Sequence, residues 1–349
     1  MKNTIQNKAL ITGGLGFFGS ALVQRLQASG VICRIFDISE NQEDLGSVEC
    51  IRGDVCDYDA IKRACAGVDV IYHNIAEVPL AKNISEFNRV NIDGTKNMLE
   101  AALACGVKKI VYTSSSAVFG VPANNPVDES VVPTPGEAYG AAKYEGELLC
   151  NEYIKAGLDI TIVRPRTIIG HGRLGIFQVL FEWIREGRNV PVLGDGSNIY
   201  QFVHSDDLAD ACILAGELAG SSTFNCGAEE FGSMRGVLES LCEHASTGSK
   251  VVSVPMGIAT FGMNITSKLG LSPLGPYHSL MYGRSMYFDI SKAKSELGWT
   301  PIYSNTEMFK QAYDWYLQNR NVLNENLGSK SPHRSPVKQG ILGVVKWII

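Results

Sequence analysis

Tyr139 and Lys143 stand four residues apart in Glu137-Ala-Tyr-Gly-Ala-Ala-Lys-Tyr-Glu-Gly-Glu147. That spacing puts two side chains on one helical face, a turn from each other. An ammonium within a few ångströms stabilises a phenolate and draws the phenol pKa from ~10 towards working pH. A tyrosine tuned this way removes a proton from a hydroxyl, or returns one to a carbonyl, while hydride moves at the same carbon. Upstream, Val107-Lys-Lys-Ile-Val-Tyr-Thr-Ser-Ser-Ser116 reads as a strand that delivers hydroxyls at its carboxyl end. A serine there can hold the same substrate oxygen. By itself Tyr-x-x-x-Lys is also the pattern of an exposed helical pair, so its meaning depends on what accompanies it.

What accompanies it begins near the N-terminus. Lys8-Ala-Leu-Ile-Thr-Gly-Gly-Leu-Gly-Phe-Phe-Gly-Ser20 passes from an apolar strand pattern through glycines at 13, 14, 16 and 19, and Leu22, Val23 and Leu26 follow at helical spacing. A strand, a tight turn and a helix start let a pyrophosphate approach the amides at the positive end of the helix. The loop satisfies two registers, Gly14-x-Gly16-x-x-Gly19 and Gly13-x-x-Gly16-x-x-Gly19. A second strand, Val31 to Phe36, ends at Asp37, 18 residues after Gly19. A carboxylate at that strand end accepts hydrogen bonds from the adenosine ribose and repels a 2′-phosphate, which favours NAD over NADP.

The elements around these motifs alternate. Strand patterns at 8–12, 31–37, 48–52, 68–73, 107–114 and 159–164 are separated by helical ones such as Phe87–Cys105 and Tyr139–Ala156. Such alternation predicts an α/β fold, a doubly wound parallel (Rossmann) sheet with ligands beyond the carboxyl ends of its strands. After Pro165 the pattern loosens, with helices expected at 175–187, 206–218 and 233–245 and short strands near 199–203 and 222–226. The expected division is 1–165 for the NAD-binding domain, with some later strands returning to it. A smaller C-terminal α+β substrate lobe takes 166–325, and 326–349 is a basic and apolar tail. Asp54-Val55 follows the third strand and can meet the adenine, His73-Asn-Ile-Ala76 ends the fourth, and Asn91 reads equally well as a site residue or as a helix N-cap.

Composition bounds the rest. The chain has 349 residues, 45% hydrophobic and 19% charged, with net charge −5 and no basic cluster in its body. That suits an ordinary globular protein and not a nucleic-acid binder. The nine cysteines are scattered. They form no Cys-x-x-Cys pair and no Cys/His grouping at zinc-ligand spacing, so no metal is expected and the thiols read as reduced, mostly buried, in a cytoplasmic protein. No segment has signal-peptide character, and no run approaches the ~20 apolar residues that span a bilayer.

The residues quoted so far resemble the extended short-chain dehydrogenase/reductases, the NAD-dependent epimerase/dehydratase family. The resemblance runs through Thr12-Gly13-x-x-Gly16-x-x-Gly19, Asp37, Asp54-Val55, Val90-Asn91-x-x-Gly94-Thr95, Thr113-Ser-Ser115-Ser-Ala-Val-Phe-Gly120, Tyr139-x-x-x-Lys143, Arg164-Pro165 and Leu297-Gly-Trp299-x-Pro301, and covers roughly residues 8–320. It implies that Tyr139 is the catalytic acid/base and that Lys143 lowers its pKa and binds the nicotinamide ribose. Ser115, five before Gly120, holds the reacting oxygen, although Ser114 and Ser116 leave a slip of one residue open. It further implies cofactor contacts from Gly13, Gly16, Phe17, Phe18 and Gly19 in the loop, and from Asp37, Asp54 and Val55 on the adenosine side. Ala76, Asn91, Arg164 and Pro165, with Tyr139 and Lys143, complete the set. Members of this family often dimerise through a four-helix bundle containing the Tyr/Lys helix, so a homodimer is implied.

The same resemblance narrows the reaction. Members that eliminate water from sugars carry an Asp-Glu pair directly after the active-site hydroxyl residue; here those positions are Ser116 and Ala117, which disfavours dehydration. Epimerases and simple dehydrogenases share the remaining set. An arginine that usually meets a nucleotide diphosphate is Tyr200 here, and Arg166, Arg173 and Arg284 are candidates to replace it, with Ser116 and His204 as further substrate contacts and His171 beside them. Residues 251–282 hold a single charged side chain, Lys268, and read as a self-packed lid or as an apolar cover for a lipophilic substrate. The tail carries Lys330, Arg334, Lys338 and Lys346 and ends in an apolar helical pattern that suits either docking within the protein assembly or the cytoplasmic face of a membrane. The leading expectation is a sugar epimerase, on a nucleotide- or lipid-linked sugar, through a transient keto intermediate. The alternatives are a 3β-hydroxysteroid-dehydrogenase-like oxidoreductase on a hydrophobic substrate and an NAD-binding scaffold without turnover.

Overall fold

The computed structural model describes residues 7–40, 48–77, 84–257 and 282–325. Seven strands form one parallel sheet: β1 (Lys8–Thr12), β2 (Ile32–Asp37), β3 (Glu49–Arg52), β4 (Val70–His73), β5 (Lys109–Thr113), β6 (Ile160–Pro165) and β11 (Ser222–Cys226). Their spatial order is β11-β6-β5-β4-β1-β2-β3, so the chain winds outward from β1 in both directions. The order reverses beside β1, and the carboxyl ends there open the crevice that binds ligands in such sheets.

Strand alternation feeds two cores. Ala9 and Ile11 of β1 point to one face and Leu10 to the other, and all three are fully buried. Helices α1 (Phe17–Ala28) and α7 (Ser205–Glu217) cover the first face, through Leu22, Leu26, Leu208 and Ala211. Helices α2 (Tyr58–Cys65), α4 (Gly94–Cys105) and α5 (Ala138–Lys155) cover the second, through Ile61, Leu99 and Cys150. Each of these leucines and isoleucines contributes about 1.5–3 kcal/mol by leaving water. A third core lies in the lobe, where Met308, Phe309, Ala312, Tyr313 and Tyr316 of α9 (Asn305–Glu325) recur at helical spacing. They meet α6 (Ile176–Arg185) and α8 (Met234–Ala245). The lobe also contains β8 (Val190–Leu193) and β13 (Val251–Val254), paired in parallel, β7 (Thr167–Ile169) beside β10 (Phe202–His204), and β9 (Ile199–Tyr200) beside β12 (Gly232–Ser233).

The expected strands all form, within one or two residues of the periodicity that announced them. Two features differ. The single helix expected over Phe87–Cys105 is instead α3 (Ile84–Asn88), a wide π-turn over Arg89–Asp93, and then α4. Asn91 sits inside that π-turn and is no N-cap: its Oδ1 accepts from the Glu77 amide at 2.8 Å and its Nδ2 donates to the Glu77 carbonyl at 3.1 Å. Secondly, not only strand β11 but also helix α7 returns to the sheet, because α7 packs along α1. Trp299 fastens the lobe to this helix, its Nε1 donating to the Asp207 carbonyl at 2.8 Å. The Asp207 carboxylate accepts from the Ile302 and Tyr303 amides, and burial pushes its pKa up to about 6. All nine cysteines are free thiols, six of them buried. No described helix is long and apolar enough to cross a membrane. Most of the apolar stretch 251–282 and the whole tail fall outside the described residues.

Candidate functional site

The glycine loop closes on itself, and the structure selects between its two registers. Gly13 takes φ +70 and its amide donates to Phe36 O, while the Gly16 amide returns to Gly13 O at 3.0 Å. A Cβ on Gly19 would lie 2.0 Å from Gly13 O, so α1 approaches the turn as closely as only glycine permits. Gly13, Gly16 and Gly19 therefore shape the turn. Gly14 serves the packing behind it, where a Cβ would meet Ile35 Cγ1 at 2.8 Å. Gly16 caps α1 with no side-chain hydrogen bond, and the first turn holds no acid. The leading amides, at Phe17 and Phe18, thus face the cleft as donors for an anion.

Asp37 stands at the end of β2, its carboxylate accepting from the Leu15 and Ser39 amides at 3.1 and 2.9 Å. The aspartate thereby ties the second strand end to the glycine loop, and a carboxylate retains further lone pairs for a ribose. Asp54 accepts from the Cys56 amide and from Arg89 Nη1 at 2.8 Å, and Val55 lines the wall beside it. These features fit a dinucleotide: a turn closed too tightly for a side chain at Gly19, a helix start without a side-chain cap, and an acid at the second strand end.

The hydroxyl cluster follows β5, and each of its three serines has a different partner. Ser114 Oγ donates to Glu147 Oε1 at 2.6 Å, Ser116 Oγ accepts from Arg166 Nη1 at 2.8 Å, and Ser115 is hydrogen-bonded to Tyr139. Ser115 Oγ also accepts from the Ala117 amide at 3.1 Å, which starts the 3-10 turn Ser116–Phe119. Glu137 caps α5 by accepting from the Tyr139 and Gly140 amides. A Cβ on Gly140 would lie 2.4 Å from Ala117 O and one on Gly146 would lie 2.1 Å from the Tyr112 hydroxyl. Those two glycines let α5 press against the strand end, and so bring Tyr139 to Ser115. The sequence reading missed both, along with Glu137. A capping acid two residues before the tyrosine was the available signal.

Lys143 is anchored on the end of β5. Its Nζ donates to Thr113 O at 2.7 Å and lies 4.7 Å from the Tyr112 ring centre. Burial lowers its pKa to about 8. Burial also pushes Tyr139 up to about 12, against which the Ser115 hydrogen bond and the charge of Arg173 act.

One cleft of about 460 Å³ collects these groups. Its wall includes Gly13, Gly16, Phe17, Phe18 and Gly19, then Asp37, Asp54, Val55 and Ala76, and it continues through Ser115, Ser116, Tyr139, Lys143, Pro165, Arg166 and Arg173. Four expected residues lie elsewhere. Asn91 sits behind the wall, holding Glu77. Arg164 forks Glu147, Nε to Oε1 at 2.8 Å and Nη2 to Oε2 at 2.6 Å, because a buried guanidinium needs a counter-charge and this carboxylate supplies it. His204 caps α7, its Nδ1 accepting from the Asp206 amide, and burial lowers its pKa to about 4. His171 packs edge-on against it. Arg284 lines a separate depression with Asn125 and Asn198. Thr167, Ile176 and Tyr282 also line the cleft, unannounced by any motif. Tyr200, where the resemblance led one to look for an arginine, carries Arg166 on its ring face at 4.6 Å.

A parallel nucleotide-binding sheet with a glycine cradle and a Ser/Tyr/Lys group in one cleft defines an NAD-dependent enzyme of the extended short-chain dehydrogenase type. The chain belongs to the NAD dependent epimerase/dehydratase family, whose profile matches residues 9–227. It is 49% identical to the uncharacterized protein y4nG of Sinorhizobium fredii over 99% of this chain and 87% of that one. It is 32% identical to a UDP-glucose 4-epimerase of Mycolicibacterium smegmatis, over 63% and 77% of the two chains. A 3beta-hydroxysteroid-dehydrogenase/decarboxylase of Arabidopsis thaliana is 30% identical over 87% and 78%. Among solved structures, MoeE5 in complex with UDP-glucuronic acid and NAD superposes with a TM-score of 0.73 at 26% identity, covering 89% of this chain and 99% of that one.

Proposed function

We propose that this enzyme epimerises a sugar carried on a nucleotide diphosphate or a lipid-linked carrier, through a transient keto intermediate. The observation that carries this reading is the pairing of a redox group with a cationic substrate wall: Ser115 and Tyr139 share the cleft with Arg166 and Arg173. Positive groups beside a hydroxyl-handling pair suit a polar substrate that bears negative charge.

When bound, NAD supplies the hydride acceptor and donor. Glycines 13, 16 and 19 and the first amides of α1 would hold its pyrophosphate, and Asp37 would hold the adenosine ribose. Ser115 fixes the substrate oxygen by hydrogen bonding, and Tyr139 takes the hydroxyl proton and later gives it back. Lys143, anchored on Thr113, keeps a positive charge within one helical turn of that proton. The dehydratase route is disfavoured, since Ser116 and Ala117 offer no second acid and base.

A second reading, oxidation or reduction of a hydroxyl compound with free exchange of NAD, is favoured by the 30% identity to the hydroxysteroid-dehydrogenase/decarboxylase. One assay separates the two. Protein is purified and denatured, and the supernatant is assayed for NAD(H). Near-stoichiometric cofactor supports an epimerase that recycles it internally; an empty protein that binds added NAD supports the dehydrogenase. A chain that neither holds nor binds NAD sinks both. The expected homodimer would use α4 and α5, which leave Leu103 and Leu148 exposed at 45% and 39%. A monomer in native mass spectrometry would remove it.

A further inference from the structure

We infer that Arg166 is the anion anchor of the substrate, taking a carboxylate or phosphoryl group carried close to the carbon that reacts. This deepens the redox reading above and rests on it.

Arg166 is 1% exposed, yet only one of its three nitrogens is used within the protein, Nη1 on the neutral hydroxyl of Ser116. Its Nε and Nη2 have no hydrogen-bond partner, and no acidic side chain among the described residues pairs with it. The guanidinium is packed between the rings of Tyr200 and Phe288, 4.6 and 5.6 Å from their centres. A guanidinium does not shed its proton in a protein. A buried cation without a counter-charge is costly, and folded chains pair or coordinate such groups.

Arg164, two residues earlier, shows what the missing partner is. There the same Nε–Nη2 edge is filled by both oxygens of Glu147. That edge is a planar fork of the right width for a carboxylate or a phosphate. In Arg166 the equivalent Nε and Nη2 are buried and have no partner in the protein, and the residue forms part of the cleft wall with Ser115 and Tyr139. Ser116 joins the two systems, adjoining Ser115 in sequence and bonded to Arg166 in space. The counter-charge therefore arrives with the ligand, on the side of the cleft where the oxygen reacts.

The test uses NADH-loaded protein and two probe pairs, each differing by the anionic group: 3-oxobutanoate against its methyl ester, and glucose 1-phosphate against methyl glucoside. Binding is read calorimetrically. One anion is expected to bind at least about tenfold tighter than its neutral partner. Preference within the first pair assigns a carboxylate-bearing substrate, and within the second a phosphorylated one. Arg166→Gln is expected to erase the preference, and Arg166→Lys, which keeps the charge without the fork, to weaken it. Wild-type protein that prefers neither anion, or an Arg166→Gln protein that keeps the preference, overturns the assignment. Should the glutamine variant not fold, the wild-type pairs and the lysine variant still decide: a lysine variant with undiminished preference also overturns it. Failure of the redox reading shows separately, as wild-type protein that binds no NADH or as turnover that survives Tyr139→Phe.

Discussion

Lys143 Nζ donates a 2.7 Å hydrogen bond to the carbonyl of Thr113, the last residue of β5. The bond fixes the tyrosine-bearing helix to the strand end that continues into Ser115. Lys143 is thus as much a spacer as a charge. It sets the distance at which Ser115 and Tyr139 hydrogen-bond, and it holds its ammonium where burial has already lowered the pKa to about 8.

Tyr139→Phe removes the proton donor and leaves the ring. We expect turnover to fall by about 10²–10⁴-fold, with NADH affinity and thermal stability near wild type. Steady-state kinetics beside a fluorescence titration of NADH checks this, and unchanged turnover would mean that another group moves the proton.

Ser115→Ala should separate the serines. It costs the oxygen-holding contact and the cap of the turn Ser116–Phe119, so we expect about 10²-fold in kcat together with about 1 kcal/mol of stability. Ser114→Ala, which touches Glu147 instead, should affect stability and spare kcat. The reverse pattern would place the reacting oxygen on the other hydroxyl.

Gly19→Ala is expected to abolish NAD binding, because its Cβ would collide with Gly13 O at 2.0 Å. Gly30→Ala meets nothing within 4 Å and bears only the strain of its φ of +79, about 1 kcal/mol. Comparing the two by cofactor titration and thermal melting separates steric blockage of the cradle from ordinary backbone strain.

Glu147→Gln leaves the Arg164 guanidinium buried beside a neutral amide. Breaking one side of such a pair costs about 3–5 kcal/mol, and Ser114 loses its anionic acceptor at the same time. Urea denaturation should show the full loss; a change under about 1 kcal/mol would mean that the pair is replaceable.

His73 gives stability an acid limb. Fully buried between Thr12 and Thr95, its pKa is lowered to about 3 by burial, with Lys143 adding to the effect. The unfolded chain takes up this proton as pH falls through about 6.5, whereas the folded chain does so only near 3. The histidine therefore withdraws stability progressively between those values, by about 4–5 kcal/mol in all. His73→Asn, which can still meet Thr12, should flatten the pH dependence of the unfolding free energy over that window. An unchanged slope would assign the acid limb to other groups.

Much of this enzyme was legible in its sequence because the governing patterns are local. Short apolar runs set most strands of the sheet, and Gly13, Gly16 and Gly19 set the turn, since each depends on residues within one element and its neighbour. The four-residue step from Tyr139 to Lys143 likewise needs nothing beyond one helix. Contacts across long separations were decided only by tertiary structure. Arg166 reaches Ser116 across 50 residues and Asn91 reaches Glu77 across 14, and neither pairing has a local signature. Arg164 and Arg166 are two residues apart in one extended segment and identical in type, yet Glu147 neutralises one and the cleft wall claims the other. His204 and Arg284 carried suitable chemistry and went elsewhere, one to cap α7 and the other to a separate depression. A side chain's type states what it can bind, and the packing of its neighbours decides whether a partner within the protein has already done so.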